Sequence, residues 1–284
     1  MATTFTNQAT LSIGGAQTLS NIAVGVMDSA LSISKAAVQA EYSAGDTLTY
    51  VVSIVNNTTT EMTGLTVNDD LGAYPFGTGT VQPLTYVDGS IQYYLDGVQQ
   101  TAPSVSTSDG LSVTGITIPA QGNTTLIYSA QINSYAPLQT GSTINNTVSI
   151  NDTEKVSVIA QESVAVNEDP LLELVKSVSP IPVSENGRLT YTIQLLNSGN
   201  TAVLADDGAV ITDTFDPILS DITVTLDGTA LTPTTDYTYN VSTGELSTVT
   251  GTITVPAATY AQDPTTGEWT VTPGSATLVV TGTV

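Results

Sequence analysis

The sequence predicts an all-β protein built of two tandem β-sandwich domains, and three observations carry that reading. Thr, Ser, Val, Ala and Gly dominate a chain of 284 residues in which 40% are apolar and only 11% charged, a mix that favours strands and turns over helices. Apolar residues alternate with period two through most segments, with turn signals between them. The whole pattern then occurs twice.

In chain order, residues 1–27 form an N-terminal segment, residues 28–167 a first domain and residues 168–284 a second. The first domain opens on Leu31-Ser-Ile-Ser-Lys35, which recurs as Leu172-Glu-Leu-Val-Lys176. Leu48-Thr-Tyr50-Val-Val-Ser-Ile54 follows and recurs as Leu189-Thr-Tyr191-Thr-Ile-Gln-Leu195. Lys35 to Lys176 and Tyr50 to Tyr191 are both steps of 141 residues (176 − 35 and 191 − 50), so the two elements repeat without a gap. Leu48, Tyr50, Val52 and Ile54 face one way and Thr47, Thr49, Val51 and Ser53 the other, as in a strand with one buried face. Residues 64–69 match 208–213, 95–97 match 226–228, 116–119 match 253–256, and 125–132 match 277–284. Asp-Gly at 88–89, 96–97 and 227–228 and Asn-Ser-Gly-Asn at 197–200 supply turns. Many short strands at this spacing read as a sandwich.

The first copy continues past residue 132 with Ile144-Asn-Asn146-Thr-Val148-Ser-Ile150 and a strand-like run at 156–166, whereas the second reaches Val284 at the match to Ile132. Its last one or two strands are expected to come from elsewhere. A matching stretch lies at the other end of the chain, where Phe5-Thr-Asn7-Gln-Ala9-Thr-Leu11 aligns with 144–150 position for position. Residues 18–27 likewise resemble 156–166. An open sandwich edge invites strand addition. The expectation is therefore that Phe5, Asn7, Ala9 and Leu11 form a donor strand that completes the second domain of a neighbouring subunit. Such a head-to-tail contact generates an open filament unless its rotation closes a ring. The alternatives are folding back onto the same chain, a disordered tail, and closing strands outside these 284 residues.

Three kinds of polar residue, Lys, Asp and Asn, fall on apolar faces at repeated positions. Lys35 shares a face with Leu31 and Ile33, and Lys176 with Leu172 and Leu174. Asp69 stands with Leu65 and Val67, and Asp213 with Ile211 and Phe215. Asn146 stands between Ile144 and Val148, as Asn7 does between Phe5 and Ala9. A buried Lys is driven toward the neutral amine, which can attack the Asn side-chain carbonyl while a neighbouring carboxyl polarises it and moves protons. Ammonia leaves and an isopeptide bond remains, a single-turnover self-modification and not catalysis on an outside substrate. Lys35 and Asn146, with Asp69, would make an intramolecular bond. Lys176 and Asn7, with Asp213, would make an intermolecular one. The alternative is a buried Lys–Asp ion pair with a hydrogen-bonded Asn and no covalent bond.

Composition removes several function classes. Four basic residues against 26 acidic ones give a formal charge of −22, which makes nucleic acid a very poor partner. With no Cys and no His, zinc sites, thiol nucleophiles and His-based triads are absent. No metal site is assigned. The acidic pairs Asp69-Asp70, Asp206-Asp207 and Glu168-Asp169 could bind calcium, but none has an EF-hand spacing. No run reaches the length of a membrane span, so no membrane insertion is expected. Met1-Ala-Thr-Thr-Phe5 has neither a basic n-region nor an apolar h-region, so no secretory signal is expected.

Leu-Val-Lys-Ser-Val-Ser-Pro at 174–180, Gly-Arg-Leu-Thr-Tyr-Thr-Ile at 187–193, Val-Ile-Thr-Asp at 210–213 and Ile-Asn-Asn-Thr-Val at 144–148 together resemble the conserved-repeat domains of unknown function found in tandem in bacterial and archaeal surface proteins. That resemblance covers nearly all the chain and implies immunoglobulin-like sandwiches and an extracellular role on a cell or spore surface. Similarity to isopeptide-forming pilin domains extends to Lys35, Asp69 and Asn146 and to their second set. The expected function is a filament subunit whose partner is itself. The alternative is an adhesin or ligand-binding stalk, with the aromatic-rich stretches at 86–94 and 237–269 as its binding face.

Overall fold

The structure, a computed structural model, describes residues 3–13, 16–27, 30–151 and 157–284. It is all-β, with one 3₁₀ turn at Ala205–Asp207 among the described residues. The chain divides into two compact units, one of Met1–Ala136 with Thr143–Ala165 and one of Pro137–Ser142 with Val166–Val284.

The first unit opens with β1 (Thr3–Asn7), β2 (Thr10–Ile13), β3 (Ala16–Leu19) and β4 (Ala23–Met27). β1 pairs antiparallel with β4 and, nested inside them, β2 with β3. The sandwich strands follow: β5 (Leu31–Ala37), β6 (Glu41–Tyr42), β7 (Thr47–Asn56), β8 (Met62–Asp69), β9 (Tyr74–Phe76), β10 (Gly79–Val81), β11 (Leu84–Tyr86), β12 (Gln92–Leu95), β13 (Val98–Gln99), β14 (Ser104–Ser106), β15 (Leu111–Ile118), β16 (Asn123–Ile132), β17 (Thr143–Asn151) and β18 (Ser157–Val166). One sheet has the order β13-β12-β16-β7-β5, with β11 also on β16. The other has the order β14-β15-β8-β17-β18-β6. The alternating faces meet between them. Leu48, Tyr50, Val52 and Ile54 of β7 are buried, as are Leu65 and Val67 of β8 and Val148 and Ile150 of β17.

The second unit holds β19 (Leu172–Ser179), β20 (Arg188–Asn197), β21 (Thr212–Thr214), β22 (Ser220–Leu226), β23 (Thr229–Ala230), β24 (Tyr237–Asn240), β25 (Glu245–Thr248), β26 (Thr259–Gln262), β27 (Trp269–Thr272) and β28 (Gly274–Thr283). Its first sheet, β19-β20-β28-β22-β23, repeats the first sheet of the other unit. Tyr191 lies opposite Val280 across β20 and β28, as Tyr50 lies opposite Tyr128 across β7 and β16. A buried Asn closes the same strand in both units. Asn56 Nδ2 donates to the carbonyls of Thr60 and Ile118, and Asn197 Nδ2 to those of Thr201 and Pro256. These bonds fix the turn that follows, since a buried amide must be satisfied.

The second sheets differ. In the first unit β8 lies between β15 and β17, whereas its counterpart β21 ends the order β21-β25-β24. Among the described residues nothing in the second unit occupies the place of β17 and β18. The core is closed elsewhere by Ile211, Phe215, Leu246, Leu278 and Val280. β19 is the strand left bare. Leu172 and Leu174 are 51% and 58% exposed, while Leu31, the counterpart of Leu172, is 1% exposed.

Candidate functional site

The first site sits between the two sheets of the first unit. β5 carries Lys35 inward because Leu31 and Lys35 fall on its buried face. Lys35 Nζ lies 2.5 Å from Asp69 Oδ2 with both side chains sealed from solvent, and 4.8 Å from the Tyr50 ring centroid. Burial lowers the Lys35 pKa from 10.5, with the Asp69 charge opposing. Asp69 ends β8. Its Oδ1 accepts the Leu71 N–H at 3.0 Å, an Asx turn that locks the carboxylate in place.

Asn146 is fully buried on β17. Its Oδ1 accepts the Gly72 N–H at 3.2 Å. Gly72 has φ of 73°, and a Cβ there would lie 2.7 Å from Ile144 Cγ2, so only glycine brings this N–H to the carboxamide. Tyr128 joins the network. Its hydroxyl donates to Asp69 Oδ2 at 2.5 Å and accepts from Asn146 Nδ2 at 3.4 Å. Its ring stacks on Tyr50 at 5.6 Å. Asp69 and Asn146 are thus joined through one buried phenol, and Lys35 meets the same Asp69 oxygen. The sequence expectation had the carboxyl reaching the Asn carbonyl directly; here Gly72 holds that oxygen and Asp69 meets the Asn through Tyr128.

Sequence reasoning overlooked Tyr128 and Gly72. Tyr128 stood on an apolar face between Leu126 and Ala130, a polar tip in the same kind of place as Lys35 and Asp69. The second repeat hid it, because Val280 occupies that position there.

The second site repeats half of the first. Lys176 Nζ lies 2.6 Å from Asp213 Oδ2, but the two side chains are 41% and 15% exposed. Lys176 also lies 4.7 Å from the Tyr191 ring and 5.3 Å from that of Phe215. Phe215 stands where the first unit has Leu71 and packs on Tyr191 at 4.9 Å, so it replaces the Tyr128 ring but not its hydroxyl. Asp213 Oδ2 is buried and has its ion pair with Lys176 but no aligned hydrogen bond. Within this unit no Asn joins Lys176 and Asp213 among the described residues.

Asn7 is exposed on β1, opposite Ala23. Ala9 is exposed and Leu11 is 68% exposed; the backbone of Phe5 pairs with Gly25, and its side chain lies outside those described. Leu19, Ile22 and Val24 of the same hairpin are 60%, 57% and 66% exposed. The β1–β4 pairing has the register of the β17–β18 hairpin, while β2–β3 is shifted by one residue, with Leu11 opposite Thr18 where Ile150 lies opposite Val158. Thr4–Val26, Phe5–Gly25, Thr6–Val24 and Asn7–Ala23 correspond to Thr143–Ala165, Ile144–Val164, Asn145–Ser163 and Asn146–Glu162. Every residue in the first set lies 139 positions before its counterpart (146 − 7 and 162 − 23, for example). In the β17–β18 hairpin Ile144, Val148, Ile150 and Val164, the counterparts of Phe5, Ala9, Leu11 and Gly25, are buried, whereas Gln161 and Ser163, the counterparts of Ile22 and Val24, are exposed.

The remaining expectations concern surface features. Asp70 Oδ1 accepts the N–H groups of Gly72 and Thr147, and Asp207 Oδ2 that of Leu204. No group of three or more carboxylates converges among the described residues. Tyr86, Tyr93 and Tyr237, from the aromatic-rich stretches, are buried and present no ring face to a ligand. No helix is long and apolar enough to cross a membrane among the described residues.

No protein-family model matches the chain, the conserved-repeat domains included, and no curated protein matches it. Among solved structures, the pilus backbone RrgB of Streptococcus pneumoniae aligns with a TM-score of 0.34 at 12% identity, over 86% of this chain and 55% of that one. The major pilin subunit BcpA of Bacillus cereus aligns at 0.36 and 14%, over 87% and 66%. The major pilin SpaD of Corynebacterium diphtheriae aligns at 0.35 and 12%, over 85% and 58%. The chain spans about half the length of the pneumococcal protein. Similarity at this level carries no functional argument, which has to come from the two sites.

Proposed function

We propose that the chain is the structural subunit of a self-assembling extracellular filament, polymerising head to tail by donation of its N-terminal hairpin. One observation carries the reading: β21 has a free edge where β8 has β17, and β1 and β4 pair in the register of the first half of β17–β18, with β2 and β3 continuing the hairpin one residue out of that register. Copying the first unit's pairing, in which Val148 lies opposite Asp69 and Ile150 opposite Val67, puts Ala9 of one copy opposite Asp213 of the next and Leu11 opposite Ile211. Docking covers Leu172 and Leu174 and buries Leu11, as Ile150 is buried in the first unit. Each large side chain so buried contributes about 1.5–3 kcal/mol.

The same register delivers Asn7 to Lys176 and Asp213. Asp213 takes a proton from Lys176, the neutral Nζ attacks Cγ of Asn7, and ammonia departs, which leaves subunits joined by an isopeptide bond. Lys35, Asp69 and Asn146 do the same inside the first unit. Proximity in a dry site supplies the rate, and the chain acts on no outside substrate. A filament of this kind belongs on a cell or spore surface.

Deleting residues 2–27 tests the proposal, because it removes the donor and leaves the acceptor. The full chain should form filaments in negative-stain images, and the truncated chain should elute as a monomer that binds the isolated hairpin peptide. Filaments from the truncated chain, or a full chain whose edge is already filled and stays monomeric, would contradict it.

A further inference from the structure

Besides the Asn that the second site lacks, the two sites differ at a position that can move protons, since the first has the Tyr128 hydroxyl where the second has the Val280 side chain. That hydroxyl is the link between the acid and the leaving group. Asp69 Oδ2 receives both Lys35 Nζ and Tyr128 Oη at 2.5 Å, and Tyr128 Oη in turn receives Asn146 Nδ2 at 3.4 Å. Resting on the isopeptide reading above, we propose that Tyr128 is the proton relay of the internal bond and carries a proton from Asp69 to the departing nitrogen of Asn146.

The step balances without an added reactant. Lys35 first gives one proton to Asp69 and becomes a neutral amine. Nζ attacks Cγ of Asn146, the Nζ–Cγ bond forms, and the carbonyl electron pair moves onto Oδ1, where the Gly72 N–H stabilises it. Asp69 returns its proton through Tyr128, which accepts it as its own passes to Nδ2. Asp69 then takes the second proton from Nζ. The Oδ1 pair re-forms the carbonyl as the Cγ–Nδ2 bond breaks with its pair on nitrogen, ammonia leaves, and Asp69 remains protonated. Burial, with the Asp69 charge behind it, holds the Tyr128 phenol well above its ordinary pKa. It therefore stays a proton donor throughout. The second site has no such relay, so Asp213 has to reach the incoming Asn7 directly.

Tyr128→Phe keeps the ring and its stacking and deletes only the hydroxyl. The full chain and this variant would be made by cell-free synthesis and sampled over time, with peptide mapping to follow loss of one ammonia at each Lys–Asn pair. The relay predicts that closure at Lys35–Asn146 slows by roughly 10²-fold or more, and that the slow reaction loses the wild-type pH profile. Linkage at Lys176–Asn7 in the same sample should proceed at the wild-type rate, which controls for docking, and unchanged amide-exchange protection of β7, β16 and β17 shows that the first unit of the variant folds. Closure of the internal bond in the variant at the wild-type rate and pH profile would overturn the relay alone. A wild-type chain that never loses ammonia at Lys35–Asn146 would overturn the relay and the isopeptide reading together.

Discussion

Lys176 Nζ and Asp213 Oδ2 stand 2.6 Å apart in a pocket open enough to leave the Lys side chain 41% exposed. The same pair in the first unit, Lys35 and Asp69, is sealed. The difference lies in the missing strands and not in the pair. Two repeats thus carry the same Lys–Asp pair, covered by β17 and β18 in the first unit and by no strand among the described residues in the second. The filament reading explains this as a site that closes only when a neighbour arrives.

Leu11 should then act as an anchor although it is bare in the isolated chain. Its counterpart Ile150 is fully buried. Leu11→Asp should weaken each joint by at least the roughly 1.5–3 kcal/mol of a large buried side chain and leave the monomer's melting temperature unchanged. Sedimentation across a concentration series reads the joint and a thermal melt of the dilute chain reads the monomer, and an unaltered filament threshold would argue against docking of this strand.

Asp69→Ala strands a buried ammonium and removes the acid from the first site. Folding stability should fall by about 3–5 kcal/mol, and the internal bond should fail to form. The paired replacement Lys35→Met with Asp69→Leu should recover most of the noncovalent loss, because an apolar pair of similar size carries no desolvation cost. Denaturant midpoints of the variants, taken with Asn146→Ala as the bond-free reference, measure this.

Stability should depend on pH through Lys35 in a recognisable direction. In Asn146→Ala no bond can form, and Lys35 keeps its amine. Its folded pKa is lowered by burial from 10.5, so the unfolded chain binds more protons between the folded value and 10.5. The contribution therefore grows as pH rises through that window and is lost as pH falls through the folded value. The stability gap between Asn146→Ala and Asn146→Ala with Lys35→Met isolates it, because the tyrosines cancel. That gap should change with pH in this direction; a constant gap would show that Lys35 does not titrate there.

Much of this was legible in the sequence for a simple reason. Period-two alternation in residues 47–54 writes burial directly into the chain, and a Lys or Asp on such a face marks itself. The repeat also exposed the N-terminal match to residues 144–150. What stayed hidden depends on contacts between distant strands. Tyr128 becomes part of the site only because β16 brings it opposite Tyr50 and beneath Asp69. Gly72 matters only because its left-handed turn aims an N–H at Asn146. The hairpin itself went unforeseen as a paired unit, since β1 and β4 are separated by a second strand pair.

The most direct test is to boil assembled protein in detergent and compare it on a denaturing gel with Lys176→Ala. The account predicts a ladder of subunit multiples from the original chain and only monomer from the variant, with Lys176–Asn7 recovered as the cross-linked peptide. Monomer from both, or an undiminished ladder from the variant, would contradict covalent strand donation through Lys176.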